Sequence, residues 1–167
     1  MPLTLTHVGL PPRLQHLLRD TSRSFYLTLQ VLPGPVRAQI GLAYQLARAT
    51  DTVADTELVP VGERLTALEG LRDRILGTRP EPVNLARLSA SQRGKSSLAE
   101  RRLLDRVEEA ITQLGKVGEA DAKDIRDVLT IIAGGQELDL RRFELPPEPP
   151  LLPPPAVEAR AHLDTAP

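Results

Sequence analysis

No cysteine occurs in the 167-residue chain, which excludes disulfides, thiolate nucleophiles and cysteine-ligated metal sites. Tryptophan is absent, and two phenylalanines and two tyrosines make up the whole aromatic complement. That is too little for a base-stacking platform or an aromatic sugar shelf. Histidine is scarce and scattered, at His7, His16 and His162, without the spacing of a zinc site. Neither sign of charge dominates: 21 basic residues face 22 acidic ones, for a net charge of −1. The chain therefore carries no electrostatic footprint for nucleic acid or an anionic membrane. No run approaches the roughly 20 apolar residues of a membrane span. The opening MPLTLTHVGLPP lacks the basic and apolar regions of a signal peptide, so the expected location is the cytoplasm. No internal repeat is visible. Gly94-Lys95-Ser96 echoes a phosphate-binding loop, but the first glycine of that motif would fall on Ser89 and no strand precedes it.

What is present is apolar and helical. Hydrophobic residues make up 41% of the chain, largely leucine and alanine, and β-branched runs are few. Proline divides the sequence: 7 of 16 lie between Leu145 and Pro155, a stretch that reads as extended polyproline-type chain. Residues 1–144 are expected to fold, and 145–167 to form a proline-rich, disordered tail. Within the folded part, apolar periodicity and breakers predict helices over about 12–31, 35–56, 61–77, 98–114 and 120–143, with a loop over 80–97. Five helices joined by short connections predict an all-α bundle.

The second of these helices carries two faces. On a wheel of 100° per residue with Ile40 at zero, Leu42, Leu46, Ala49 and Val53 fall at about 180–240°, an ordinary core stripe. Tyr44, Arg48, Asp51 and Asp55 fall opposite, within about 20–80°, and so align over three turns. One reading is a solvated face with a local Arg48–Asp51 ion pair. Against it, like charges at i, i+4 cost about 0.2–0.5 kcal/mol, and acids near a helix C-terminus oppose its dipole. A hard cation offsets both penalties. Two carboxylates one turn apart can hold hydrated Mg²⁺ and leave positions for phosphate oxygens, and Arg48 adds a planar donor fork for the same phosphate.

Residues 21–56, TSRSFYLTLQVLPGPVRAQIGLAYQLARATDTVADT, closely resemble the N-terminal signature of squalene and phytoene synthases. These are all-α enzymes that join two prenyl diphosphates head to head. SRSF at Ser22–Phe25 is similar to that family's flap and substrate-contact segment, and YxxxRxxDxxxD at Tyr44–Asp55 to its first aspartate-rich helix. Asp124–Phe143, ending in GGQELDLRRF, resembles the central helix, whose glycine-containing stretch lies against the prenyl chain. The resemblance implies the N-terminal half of the isoprenoid synthase fold. It implies Mg²⁺ on Asp51 and Asp55, and contacts of Tyr44 and Arg48 with diphosphate or the reacting prenyl unit. It further implies diphosphate held by Ser22, Arg23 and Ser24, and Phe25 lining an apolar cavity. Phe25 is equally readable as core, and the lesser reading of Arg23 is a solvated charge. Physically, Gly134-Gly135 costs about 2 kcal/mol relative to alanines inside a helix. That points to close approach by a ligand or another backbone, to a kink, or to close helix packing.

The resemblance runs over about residues 12–143. The family's second aspartate-rich motif, and the tyrosine- and glycine-containing segment before it, have no counterpart after Phe143, where Asp164 is the last aspartate. The expected activity is condensation of farnesyl diphosphate toward presqualene diphosphate and squalene, with NADPH as reductant, or of geranylgeranyl diphosphate toward phytoene. The wording of SRSFYLTL and LARATDTVADT leans to the squalene type. Three forms stay open: a truncated prenyltransferase, a non-catalytic helical module binding diphosphate or a partner, and assembly with a second chain supplying the missing half. Peripheral membrane contact is compatible with each.

Overall fold

The computed structural model describes residues 9–92 and 97–144, and every regular element in them is an α-helix. The helices are α1 (Pro12–Thr21), α2 (Arg23–Val31), α3 (Gly34–Ala54), α4 (Val61–Leu76), α5 (Ala86–Ser91), α6 (Ser97–Asp105), α7 (Val107–Leu114) and α8 (Glu119–Glu144). The expected all-α class is what the chain adopts. The proline-rich segment and Gly94-Lys95-Ser96 lie outside the described residues.

Eight helices stand where five are predicted, for local reasons. The expected helix over 12–31 is two, because Ser22 leaves the helical region (φ −152°, ψ 95°) and its hydroxyl accepts from the Phe25 backbone N–H at 3.4 Å. Serine caps this way readily, freeing the chain to change direction. The expected loop over 80–97 holds α5, a helix of 6 residues too short to show a period. The expected helix over 98–114 breaks at Arg106 (φ −117°, ψ 10°) into α6 and α7. Gly77 ends α4 in the left-handed conformation (φ 81°), where glycine carries no Cβ penalty.

α3 runs through the middle of the bundle and packs against α2, α4, α6, α7 and α8. Its Leu42, Leu46, Ala49 and Val53 are buried among Leu14 and Leu18 of α1, Leu29 of α2, Leu68 and Leu71 of α4 and Leu114 of α7. Each leucine removed from water this way stabilises the fold by about 1.5–3 kcal/mol before chain entropy is counted. Gln45, 1% exposed, is one of three buried polar residues on this helix, with Thr50 and Thr52, and its amide donates to the Leu14 carbonyl of α1.

α4 and α8 form the other large contact. Arg72 Nη1 donates to both Glu137 carboxylate oxygens, at 2.6 and 2.7 Å, and its Nε and Nη2 reach Asp73. Burial alone pulls the Arg72 pKa down. The Asp73 hydrogen bond and the charges of Glu137, Asp73 and Glu69 outweigh it and hold the guanidinium above its ordinary value.

Candidate active site on α3 and α8

The stripe on α3 survives folding as one face. Tyr44 and Arg48 are half-buried, Asp51 is partly exposed, and Asp55 is the exposed C-cap whose backbone N–H donates to the Asp51 carbonyl at 2.8 Å. Tyr44 meets α2: its ring stacks on Phe25 with centroids 3.8 Å apart and planes 14° from parallel. Phe25 is half-buried, so it joins the core margin and the site at once. Arg48 Nη1 lies 3.4 Å from Asp51 Oδ2, the local ion pair expected of a solvated stripe, while its Nη2 donates to Glu100 of α6 at 2.9 Å. The guanidinium is thus oriented by carboxylates from two helices.

The remaining residues of the SRSF segment spread out. Ser22 is occupied as the α2 cap. Ser24 is exposed, and its carbonyl accepts from Thr28. Arg23 lines a 420 Å³ cavity with Arg19, Asp20, Tyr26 and Leu27. That cavity shares no lining residue with the 730 Å³ cavity beside Asp55.

Two residues of the site escape local pattern reading because their partners are distant in sequence. One is Glu100, 52 residues from Arg48. The other is Gln136 of α8, 85 residues from Asp51, whose Nε2 donates to Asp51 Oδ1 at 2.6 Å. Gln136 also lines the larger cavity, with Asp55, Glu57, Arg64, Asp139 and Leu140. Arg64 Nη1 donates to the Ala54 carbonyl, placing a cation at the α3 C-terminus, where Asp55 alone would oppose the dipole.

These donors suit a hard cation. Asp51 and Asp55 offer carboxylate oxygens, and the Gln136 Oε1 beside them is buried without a hydrogen-bond partner. Oxygen-only donors of this kind fit Mg²⁺. Among the described residues no three His, Cys, Asp or Glu side chains converge on one metal position. A cation here would have to draw the rest of its shell from water or from a bound ligand.

Along the same side of α3, toward its N-terminus, the surface turns apolar. Val36 and Ile40 are exposed and form a 280 Å³ groove with Ala43 of α3 and Ile125 and Val128 of α8, with Gln39, Asp121 and Asp124 completing its lining. Val128 is 51% and Ile131 76% exposed, an unusual state for such side chains. Gly134 and Gly135 continue that face. A Cβ built on either meets nothing within 4 Å, so close helix packing within the described residues is not what their small size serves, and α8 passes through them unbroken. Among the described residues no helix is long and apolar enough to cross a membrane.

Comparison with known proteins identifies the family. A bifunctional lycopene cyclase/phytoene synthase from Blakeslea trispora is 42% identical over 53 residues, which are 32% of this chain and 9% of that protein. No solved structure matches. The family model described as squalene/phytoene synthase matches residues 18–148, from the end of α1 through the whole of α8. The match takes in the α2 cap, the α3 stripe and the α8 helix that meets it, and the chain belongs to the squalene/phytoene synthase family.

Proposed function

We propose that this chain supplies the diphosphate-ionising wall of a head-to-head prenyl diphosphate condensation. The observation that carries this reading is the division of one α3 face. Val36 and Ile40 are apolar and exposed at one end, and Arg48, Asp51 and Asp55 gather at the other. Ile40 and Asp51 are about 16 Å apart along the axis. A ligand with a charged head and a long hydrocarbon tail matches that division; a purely polar or purely apolar ligand matches half of it.

Mg²⁺ bound at Asp51 and Asp55 would neutralise charge on the departing diphosphate. Arg48 presents a fixed guanidinium to the same oxygens, with Glu100 holding its orientation. The Phe25–Tyr44 stack and the Val36–Ile40–Val128 groove offer an apolar surface on which a prenyl chain would lie, and the chain itself would cover the groove from water. The double bond of a second prenyl diphosphate would then attack the allylic cation, forming the new carbon–carbon bond, and loss of a proton, for which the released diphosphate is an acceptor, would close the cyclopropyl ring. Both products of the family remain candidates. The SRSFYLTL wording favours farnesyl diphosphate and a squalene-type product formed with NADPH, and the phytoene synthase relative favours geranylgeranyl diphosphate.

The described residues supply one carboxylate pair, so the chain by itself binds diphosphate without rapid turnover. Incomplete charge neutralisation lowers the rate by about 10³ or more. A second copy or a separate chain would complete the cluster. Incubation of the pure chain with farnesyl or geranylgeranyl diphosphate, Mg²⁺ and NADPH tests this. Mg²⁺-dependent substrate binding that Asp51→Ala and Asp55→Ala abolish, with little C30 or C40 product, is the expected result. Binding indifferent to both substitutions would refute the assignment.

A further inference from the structure

Asp51 is held from two directions. Gln136 Nε2 of α8 donates to its Oδ1 at 2.6 Å, and Arg48 Nη1 of α3 lies 3.4 Å from its Oδ2. Neither donor is itself loose: Arg48 is tied to Glu100, and Gln136 sits mid-helix on α8, one turn before Leu140, which is buried. The carboxylate therefore has a fixed plane instead of the free rotation of a surface aspartate.

Gln136 is an expensive way to join two helices. Its Oε1 is buried and has no hydrogen-bond partner within the protein, as is also true of Gln39 and Gln45 Oε1, and among these Gln136 alone lines the cavity beside Asp55. An apolar residue of the same length would pack α8 against α3 without that penalty. The amide makes sense if both of its ends are used, Nε2 on Asp51 and Oε1 toward something that arrives with donors of its own. The cavity that Gln136 lines with Asp55 and Asp139 is where such a group would sit.

We infer that Gln136 is a positioning residue of the cation site. Its Nε2 orients Asp51, and its Oε1 accepts from the hydration shell of a divalent cation held by Asp51 and Asp55. The inference rests on the reading of Asp51 as a Mg²⁺ ligand. It adds that α8 sets the affinity of a site whose carboxylates all lie at the end of α3. Partners that orient a metal-binding carboxylate are commonly worth 10- to 100-fold in metal affinity.

The test is titration of the full chain with Mg²⁺ alone, followed by calorimetry, for the wild type, Gln136→Met, Gln136→Asn and Asp51→Asn, each with a thermal melt. Gln136→Met keeps the length and packing but removes donor and acceptor. Gln136→Asn keeps the amide but is too short to reach Asp51, and serves if the methionine variant does not fold. The expected result is at least a tenfold loss of Mg²⁺ affinity in either glutamine variant while the melting temperature stays within a few degrees of wild type. Wild-type affinity in both glutamine variants, with binding lost in Asp51→Asn, would overturn the role of Gln136 and leave the cation site standing. No saturable Mg²⁺ binding by the wild type, or binding indifferent to Asp51→Asn, would overturn both.

Discussion

Replacing Gly134 and Gly135 together by alanine should make the protein more stable and its site worse. Both glycines lie inside α8, which is helical from Glu119 to Glu144, and neither has a positive φ that an alanine would strain. Each glycine-to-alanine change in a helix interior is worth about 0.8–1 kcal/mol, from backbone entropy and shielding of the helix hydrogen bonds. No steric term subtracts from this, because an added Cβ at either position finds no atom within 4 Å. The sum is about 1.5–2 kcal/mol. For a chain of this size that raises the melting temperature by about 4–8 °C, measurable by circular dichroism in the far ultraviolet. The same two methyl groups would stand on the exposed face shared with Val128, Ile131 and Leu138, and prenyl diphosphate binding should weaken as stability rises. An unchanged or lowered melting temperature would refute the reasoning. It would mean that the glycines already serve a contact within the protein alone.

The exposed Val36, Ile40, Val128 and Ile131 should bind a hydrophobic dye in the folded state, and substitution of Ile131 by lysine should reduce the signal without lowering the melting temperature; a wild-type protein that leaves the dye dark would count against an open apolar face. Arg72→Ala should cost about 3 kcal/mol in urea denaturation, because it strands the Glu137 carboxylate, only 8% exposed, whereas the double change to leucines should come close to neutral. Because the Arg72 pKa is raised in the folded state, its contribution is complete below the ordinary guanidinium range and fades only as pH climbs beyond it. Titration of Arg72 should therefore add no pH dependence to stability between about pH 6 and about pH 9, and a drop there traceable to Arg72 would contradict the assignment.

What could be read from the sequence was whatever repeats along one helix. Leu42, Leu46, Ala49 and Val53 face the core as their spacing requires, and Tyr44, Arg48, Asp51 and Asp55 share the other side. What escaped was either too short to have a period or too far away to be adjacent. α5 is a single turn and a half, and the breaks at Ser22 and Arg106 depend on one residue's backbone each. Glu100 and Gln136 reach the stripe only after the chain has folded back on itself. Gln136 lies inside the GGQELDLRRF stretch, directly after the two glycines. No local rule says that a glutamine one residue beyond them will meet an aspartate on another helix.

The break at Ser22 between α1 and α2 has a kinetic side. α1 is sunk into the bundle through Leu14, Leu17 and Leu18, but α2 buries only Tyr26 and Leu29, and leaves Leu27 and Val31 to solvent. One side-chain bond from Gln15 to the Tyr26 hydroxyl, at 3.0 Å, spans the cap between them. An element with so few buried anchors sits low on the ladder of local opening free energies, below the helices that surround α3. Its amides should exchange with deuterium ahead of those of α3 and α4, and each excursion carries Phe25 away from Tyr44. Local opening of α2 can thus separate the Phe25–Tyr44 pair while the leucines around α3 stay in register.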